Sequence, residues 1–152
     1  MTSHTYRVNI TGKRIGIVVS RWNELITNLL LDGALETLET LGNPEVLVVK
    51  VPGTWEIPPV AKHLLEKKGC DGIVALGCIL QGQTSHAQLL ASDVGSALMG
   101  LQVSTGKPVS WGILTVESVE QAMDRSGLKL GNKGREAASA CAEIVNLLSE
   151  GS

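Results

Sequence analysis

The fourteen residues Gly77–Leu90, GCILQGQTSHAQLL, hold a thiol, two hydroxyls and an imidazole between an apolar run and a second apolar stretch of helical spacing. The spacing predicts His86 in the first turn of a helix, where an imidazole can pass protons to and from a bound molecule. The GQTSH before it (82–86) joins a strand to that helix, so its backbone N–H groups and the hydroxyls of Thr84 and Ser85 form either a seat for a small anion or an ordinary capped helix start. GNKG (131–134) is a second such candidate, with Lys133 supplying charge, and Arg125 nearby has the planar fork that suits bidentate phosphate binding. Neither stretch matches GxxxxGK[ST] or GxGxxG, so no nucleoside triphosphate or dinucleotide is indicated. Cys78 is the alternative centre, a thiol nucleophile served by His86. A nucleophile needs a sharp turn at the cysteine, and Ile79 and Leu80 continue the strand instead, which favours a buried thiol.

Two of the three tryptophans stand at corresponding places. Trp22 follows the first predicted strand and Trp55 the second, in VPGTWE, with Glu56 next to it. An indole at a loop mouth can stack on a flat heteroaromatic ligand or simply cover the core. Trp111 lies inside a strand beside Gly112 and reads as core, while His63 in mid-helix and His4 in the N-terminal tail carry no chemistry.

The elements that must position these residues alternate. KRIGIVVSR (13–21), EVLVVKVPG (45–53), DGIVALGCIL (71–80) and KPVSWGILTV (107–116) read as strands, the first three bounded by turn residues. Helices follow each: 23–42, ended by Gly42; 56–69, with Pro58 and Pro59 in its first turn; a long small-residue helix from His86 to Thr105; and 118–127 with 131–151, the last capped by Asn132. Apolar strands alternating with helices predict a flavodoxin-like three-layer α/β/α sandwich, with a four-stranded, mainly parallel sheet covered on both faces. Ligands of such sheets sit beyond the carboxyl ends of the strands, here loops 20–24, 51–56, 80–86 and 115–118.

The 152 residues are expected to form one domain, with 1–12 an extended N-terminal segment. With 43% hydrophobic and 18% charged residues and a net charge of −2, neither disorder nor nucleic-acid binding is favoured. No apolar run of membrane-spanning length and no secretory leader is readable, so a cytoplasmic protein with no membrane partner is expected. Three cysteines without CxxC or metal-ligand spacing predict reduced thiols and no metal site. Phe is absent and Tyr6 is the one tyrosine, so the core must be built from Val, Ile, Leu and Ala.

Taken in order, SRWNELITNLLLDGA, VPGTWEIP, ALGCILQGQTSH, WGILT and EQAMDRSGLKLGNKGREAA resemble the lumazine synthase family of riboflavin biosynthesis, in register from about residue 14 to residue 148. The resemblance implies condensation of 5-amino-6-(D-ribitylamino)uracil with L-3,4-dihydroxy-2-butanone 4-phosphate to 6,7-dimethyl-8-ribityllumazine, phosphate and water, with no cofactor. It implies that Trp22 stacks on the pyrimidine, that Thr54, Trp55 and Glu56 hold the ribityl chain, and that Cys78, Ile79 and Leu80 line the pyrimidine site through backbone groups. Trp111 would contact the pyrimidine, Gln83, Thr84 and Arg125 would bind the butanone phosphate, with Lys133 as a further phosphate candidate, and His86 would transfer protons. It also implies a homo-oligomer, a pentamer or a shell of sixty chains with sites between neighbouring subunits, and riboflavin synthase as a partner. The chain departs from the family pattern at Trp22 and Trp111, where Phe is common, and at Gln81, Ala87 and Gln88, where Arg, an aromatic and an acidic residue are common. Those departures keep open a non-catalytic flavin- or lumazine-binding or shell-forming homologue.

Overall fold

A computed structural model describes residues 7–83, 86–127 and 131–150. The order is β1 (Arg14–Ser20), α1 (Glu24–Thr40), β2 (Glu45–Val51), a 3₁₀ turn at Thr54–Glu56 leading into α2 (Ile57–Lys67), and β3 (Gly72–Leu80). A second 3₁₀ turn at Gln81–Gln83, α3 (Ala87–Thr105), β4 (Val109–Val116), α4 (Val119–Asp124) and α5 (Lys133–Glu150) complete it. The strands lie in the order β2-β1-β3-β4 and every pairing is parallel, so the sheet expected to be mainly parallel is wholly so.

Alternation along the strands divides the core. Ile15, Ile17 and Val19 of β1 and Val74 and Leu76 of β3 face α1 and α5, whereas Val18, Ile73 and Ala75 face α2 and α3. Each side chain as completely buried as Ile15, Ile17, Leu30, Ile73 or Leu76 contributes roughly 1.5–3 kcal/mol. Among the described residues the buried hydrophobic side chains are Ile, Leu, Val, Ala and Cys, with no aromatic. Close helix approach takes the place of bulk: a Cβ on Gly72 would stand 2.8 Å from Cys141 Sγ, and one on Gly112 would stand 3.0 Å from Ala137 Cβ, both on α5.

The helix starts differ in one instructive place. Pro58 and Pro59 do occupy the first turn of α2, and Asn132 does cap α5, its Oδ1 accepting the Arg135 N–H at 3.1 Å. His86, expected inside the first turn of α3, is instead the residue before it, with non-helical φ −118° and ψ 28°. Its carbonyl already accepts the Leu90 N–H at 2.9 Å, so the helix begins from His86, while the expected caps Thr84 and Ser85 lie outside the described residues.

Candidate functional site

The cleft begins with unequal strand lengths. β3 pairs with β1 only as far as Leu76, but with β4 as far as Leu80. The last four residues of β3 therefore run past β1 and turn a backbone edge toward the space that β1 has vacated. In a parallel strand the N–H and C=O of one residue point to the same side and alternate residues share it. Asn23 marks that side: its Nδ2 donates to the Cys78 carbonyl at 3.1 Å. Leu80, two residues on, presents its backbone groups in the same direction.

Into this space come the ends of β1 and β2. The Arg21 N–H donates to Val51 O at 2.8 Å and the Trp22 N–H to Pro52 O at 3.2 Å, which extends the parallel pairing one step and sets Trp22 beside Gly53. A Cβ on Gly53 would lie 3.5 Å from Trp22 Cε3, so the indole rests over that glycine. Glu56 closes the turn from the other side, its Oε1 accepting the Gly53 N–H at 3.0 Å while its own N–H donates to Gly53 O at 3.2 Å.

The resulting cleft has a volume of about 160 Å³ and is lined by Trp22, Thr54, Trp55, Glu56, Cys78, Ile79 and Leu80, together with Ser20, Asn23, Gly53 and Leu90. The two indoles flank it with 72% and 62% of their surfaces exposed, although the buried core contains no aromatic side chain among the described residues. Large apolar rings left in water at a concave site mark a binding surface. Cys78 is not its nucleophile. Its side chain is buried, and burial raises its thiol from 9.0 to about 11, so it stays protonated near neutral pH.

The other expected residues are distributed as follows. His86 is exposed and four residues before Leu90, which places it one helical turn from the cleft lining without being part of it. Thr84 and the side chain of Gln83 lie outside the described residues. Arg125 is exposed at the C-terminal end of α4, and its backbone carbonyl accepts the Lys133 N–H at 2.9 Å, so these two candidates for phosphate are neighbours. Trp111 is half-buried and shares with Lys133 a separate hollow of about 380 Å³ along the outer edge of β4, which also includes Gln102, Ser110 and Glu136. No residue of this hollow lines the first cleft. Among the described residues no three His, Cys, Asp or Glu side chains gather in a way that could hold a metal ion. No described helix is long and apolar enough to cross a membrane.

Residues 12–149 match the family model for 6,7-dimethyl-8-ribityllumazine synthase. The chain belongs to that family. A 6,7-dimethyl-8-ribityllumazine synthase of Protochlamydia amoebophila is 43% identical over 149 residues, covering 97% of this chain and 87% of its own. One of Thermus thermophilus is 45% identical over 139 residues, covering 90% and 88%.

For a member of the lumazine synthase family, the lining residues that sequence reasoning missed are informative. Asn23 adopts a left-handed backbone, φ 64° and ψ 49°, which Asn tolerates better than most side chains. That conformation lets it begin α1 and reach Cys78 O at once, and the RWNE sequence carries no signal of the second contact. Ser20 is 2% exposed with an Oγ that has no hydrogen-bond partner, an orphan visible only once β1 is packed against Gly77.

Proposed function

We infer that the chain works as a 6,7-dimethyl-8-ribityllumazine synthase, condensing 5-amino-6-(D-ribitylamino)uracil with L-3,4-dihydroxy-2-butanone 4-phosphate and releasing phosphate and water. The observation that carries this reading is the convergence of Trp22, Thr54, Trp55, Glu56, Cys78, Ile79 and Leu80 on one cleft beyond the ends of β1, β2 and β3. A pyrimidine offers a flat face to Trp22 and an edge of donors and acceptors to the backbone of the strand end at Cys78–Leu80. The polyhydroxy ribityl chain runs toward Thr54, Trp55 and Glu56. One Glu56 oxygen is held by Gly53 N–H, which fixes the carboxylate so that its other oxygen meets a ribityl hydroxyl.

In the reaction the pyrimidine's free amine attacks the ketone and forms an imine with loss of water. Loss of a proton from the adjacent carbon then expels phosphate, the resulting enol tautomerises, and the second amine closes the ring with loss of a second water. His86, one turn above Leu90, receives and returns the protons, and Arg125 with Lys133 holds the departing phosphate beside Gln83 and Thr84. Holding both substrates together supplies much of the acceleration.

Trp111 and Lys133 line a hollow that the cleft of the same chain does not share. In our reading they, with Arg125, complete the cleft of a neighbouring subunit in a homo-oligomer, a pentamer or a shell of sixty. Support comes from α3, which exposes Leu89, Met99 and Val103 by 60%, 57% and 75%, an apolar surface that association would cover. Riboflavin synthase, which consumes the product, is the partner such an assembly would serve in the cytoplasm. The test of the activity is direct: purified protein mixed with both substrates should develop lumazine absorbance with stoichiometric phosphate release. Binding of lumazine or flavin without turnover would overturn it.

A further inference from the structure

We propose that Asn132 is a positioning residue for the phosphate-binding arginine, acting by tying the main chain next to Arg125 to the helix that follows Trp22. The proposal rests on the reading of Arg125 as the phosphate clamp. Asn132 is 8% exposed and every polar atom of its carboxamide is engaged. Its Nδ2 donates to the carbonyl of Ser126 at 3.0 Å and to the carbonyl of Leu29, within α1, at 3.1 Å. Its Oδ1 accepts the Arg135 N–H at 3.1 Å as the cap of α5.

The two donated bonds have no part in capping. Leu29 O can take one because Gly33 leaves it uncovered: a Cβ there would stand 2.6 Å from the Asn132 carboxamide. The bond to Ser126 O acts on the residue next to Arg125, and Ser126 is itself fully buried, with its Oγ donating to Met123 O at 3.1 Å. Lys133 N–H then takes the Arg125 carbonyl at 2.9 Å. The main chain of Arg125 is thus held between α4 and the first residue of α5, and one amide side chain sets its distance from α1. An exposed guanidinium on a loosely held main chain would lose the fixed fork that bidentate phosphate binding needs.

The substitutions Asn132→Asp and Asn132→Ser separate positioning from capping. Both keep an oxygen that caps α5, and neither can donate to the two carbonyls together. Steady-state kinetics on the whole enzyme should show the KM of the butanone phosphate raised by about five- to fiftyfold, the KM of the pyrimidine unchanged, and competitive inhibition by inorganic phosphate weakened in parallel. In an Arg125→Ala background the same substitutions should add no further change in either phosphate reading. Unaltered phosphate inhibition in both Asn132 variants, where Arg125→Ala alone weakens it, would overturn the proposal and leave the clamp reading standing. A uniform loss of turnover with both KM values unchanged would also overturn it. Arg125→Ala without effect on phosphate inhibition would remove the clamp and the positioning role together. If Asn132→Asp fails to fold, Asn132→Ser carries the same comparison.

Discussion

In the proposed reaction two residues divide the chemistry, and they are placed differently. His86 sits on non-helical backbone just before α3 and is exposed, so solvent can take over proton transfer when the imidazole is removed. Arg125, as the proposed phosphate clamp, supplies a fixed charge that water cannot replace. Arg125→Ala should therefore lower turnover more than His86→Ala, and steady-state kinetics giving the reverse order would refute that division of labour. Cys78 makes a separate statement about pH. Its folded thiol is raised to about 11 by burial, above an ordinary 9.0, so its contribution to stability is intact below pH 9 and is lost as pH rises from there toward 11. The unfolded chain sheds that proton first. Denaturant titrations should show wild type losing about 1 kcal/mol more than Cys78→Ala between pH 8 and pH 10, while iodoacetamide at pH 7 leaves activity intact. The buried thiol was legible from Ile79 and Leu80 continuing the strand. The Asn23 contact to Cys78 O was not, because it joins residues fifty-five apart through a left-handed turn.

At the scale of elements, the proposed phosphate end of the site depends on how close α5 comes to α1. A Cβ on Gly134 would stand 2.0 Å from the Leu30 carbonyl, a rigid backbone atom that cannot rotate away. Gly134→Ala should cost about 3 kcal/mol of stability, read as a lowered denaturation midpoint, and should move the Lys133 end of the helix outward. The helical periodicity of 131–151 and the Asn132 cap were readable in the sequence, since both are local. The need for glycine at 33 and 134 was not, because the clash is with a helix a hundred residues away. His86 shows the opposite error: apolar spacing set the helix one residue early, and only backbone geometry separates a cap from a first turn.

For the whole molecule, the two hollows with no common lining residue predict that one chain is an incomplete enzyme. Trp22→Ala removes a cleft residue, and Arg125→Ala removes the proposed phosphate clamp, whose backbone carbonyl accepts the N–H of Lys133 from the other hollow. Each alone should retain only about a few per cent of wild-type turnover, but co-assembled in equal amounts they should recover about a quarter of wild-type activity, the share of interfaces with both intact halves. Recovery of none would place both halves in one chain. Native mass determination gives the subunit number in the same experiment.

The sequence by itself determined the layer order and the identity of most of the cleft. Strand and helix periods are local properties, and an all-parallel sheet sends every strand end to the same side, so Trp22, Thr54, Trp55 and Glu56 could be expected together from their positions after strands alone. Only the tertiary structure decided how far β3 outruns β1, where Asn23 and Ser20 join the lining, and that Trp111 and Lys133 face another hollow. Register and close approach arise from contacts between residues far apart in the chain, and no periodicity in the amino-acid order records them.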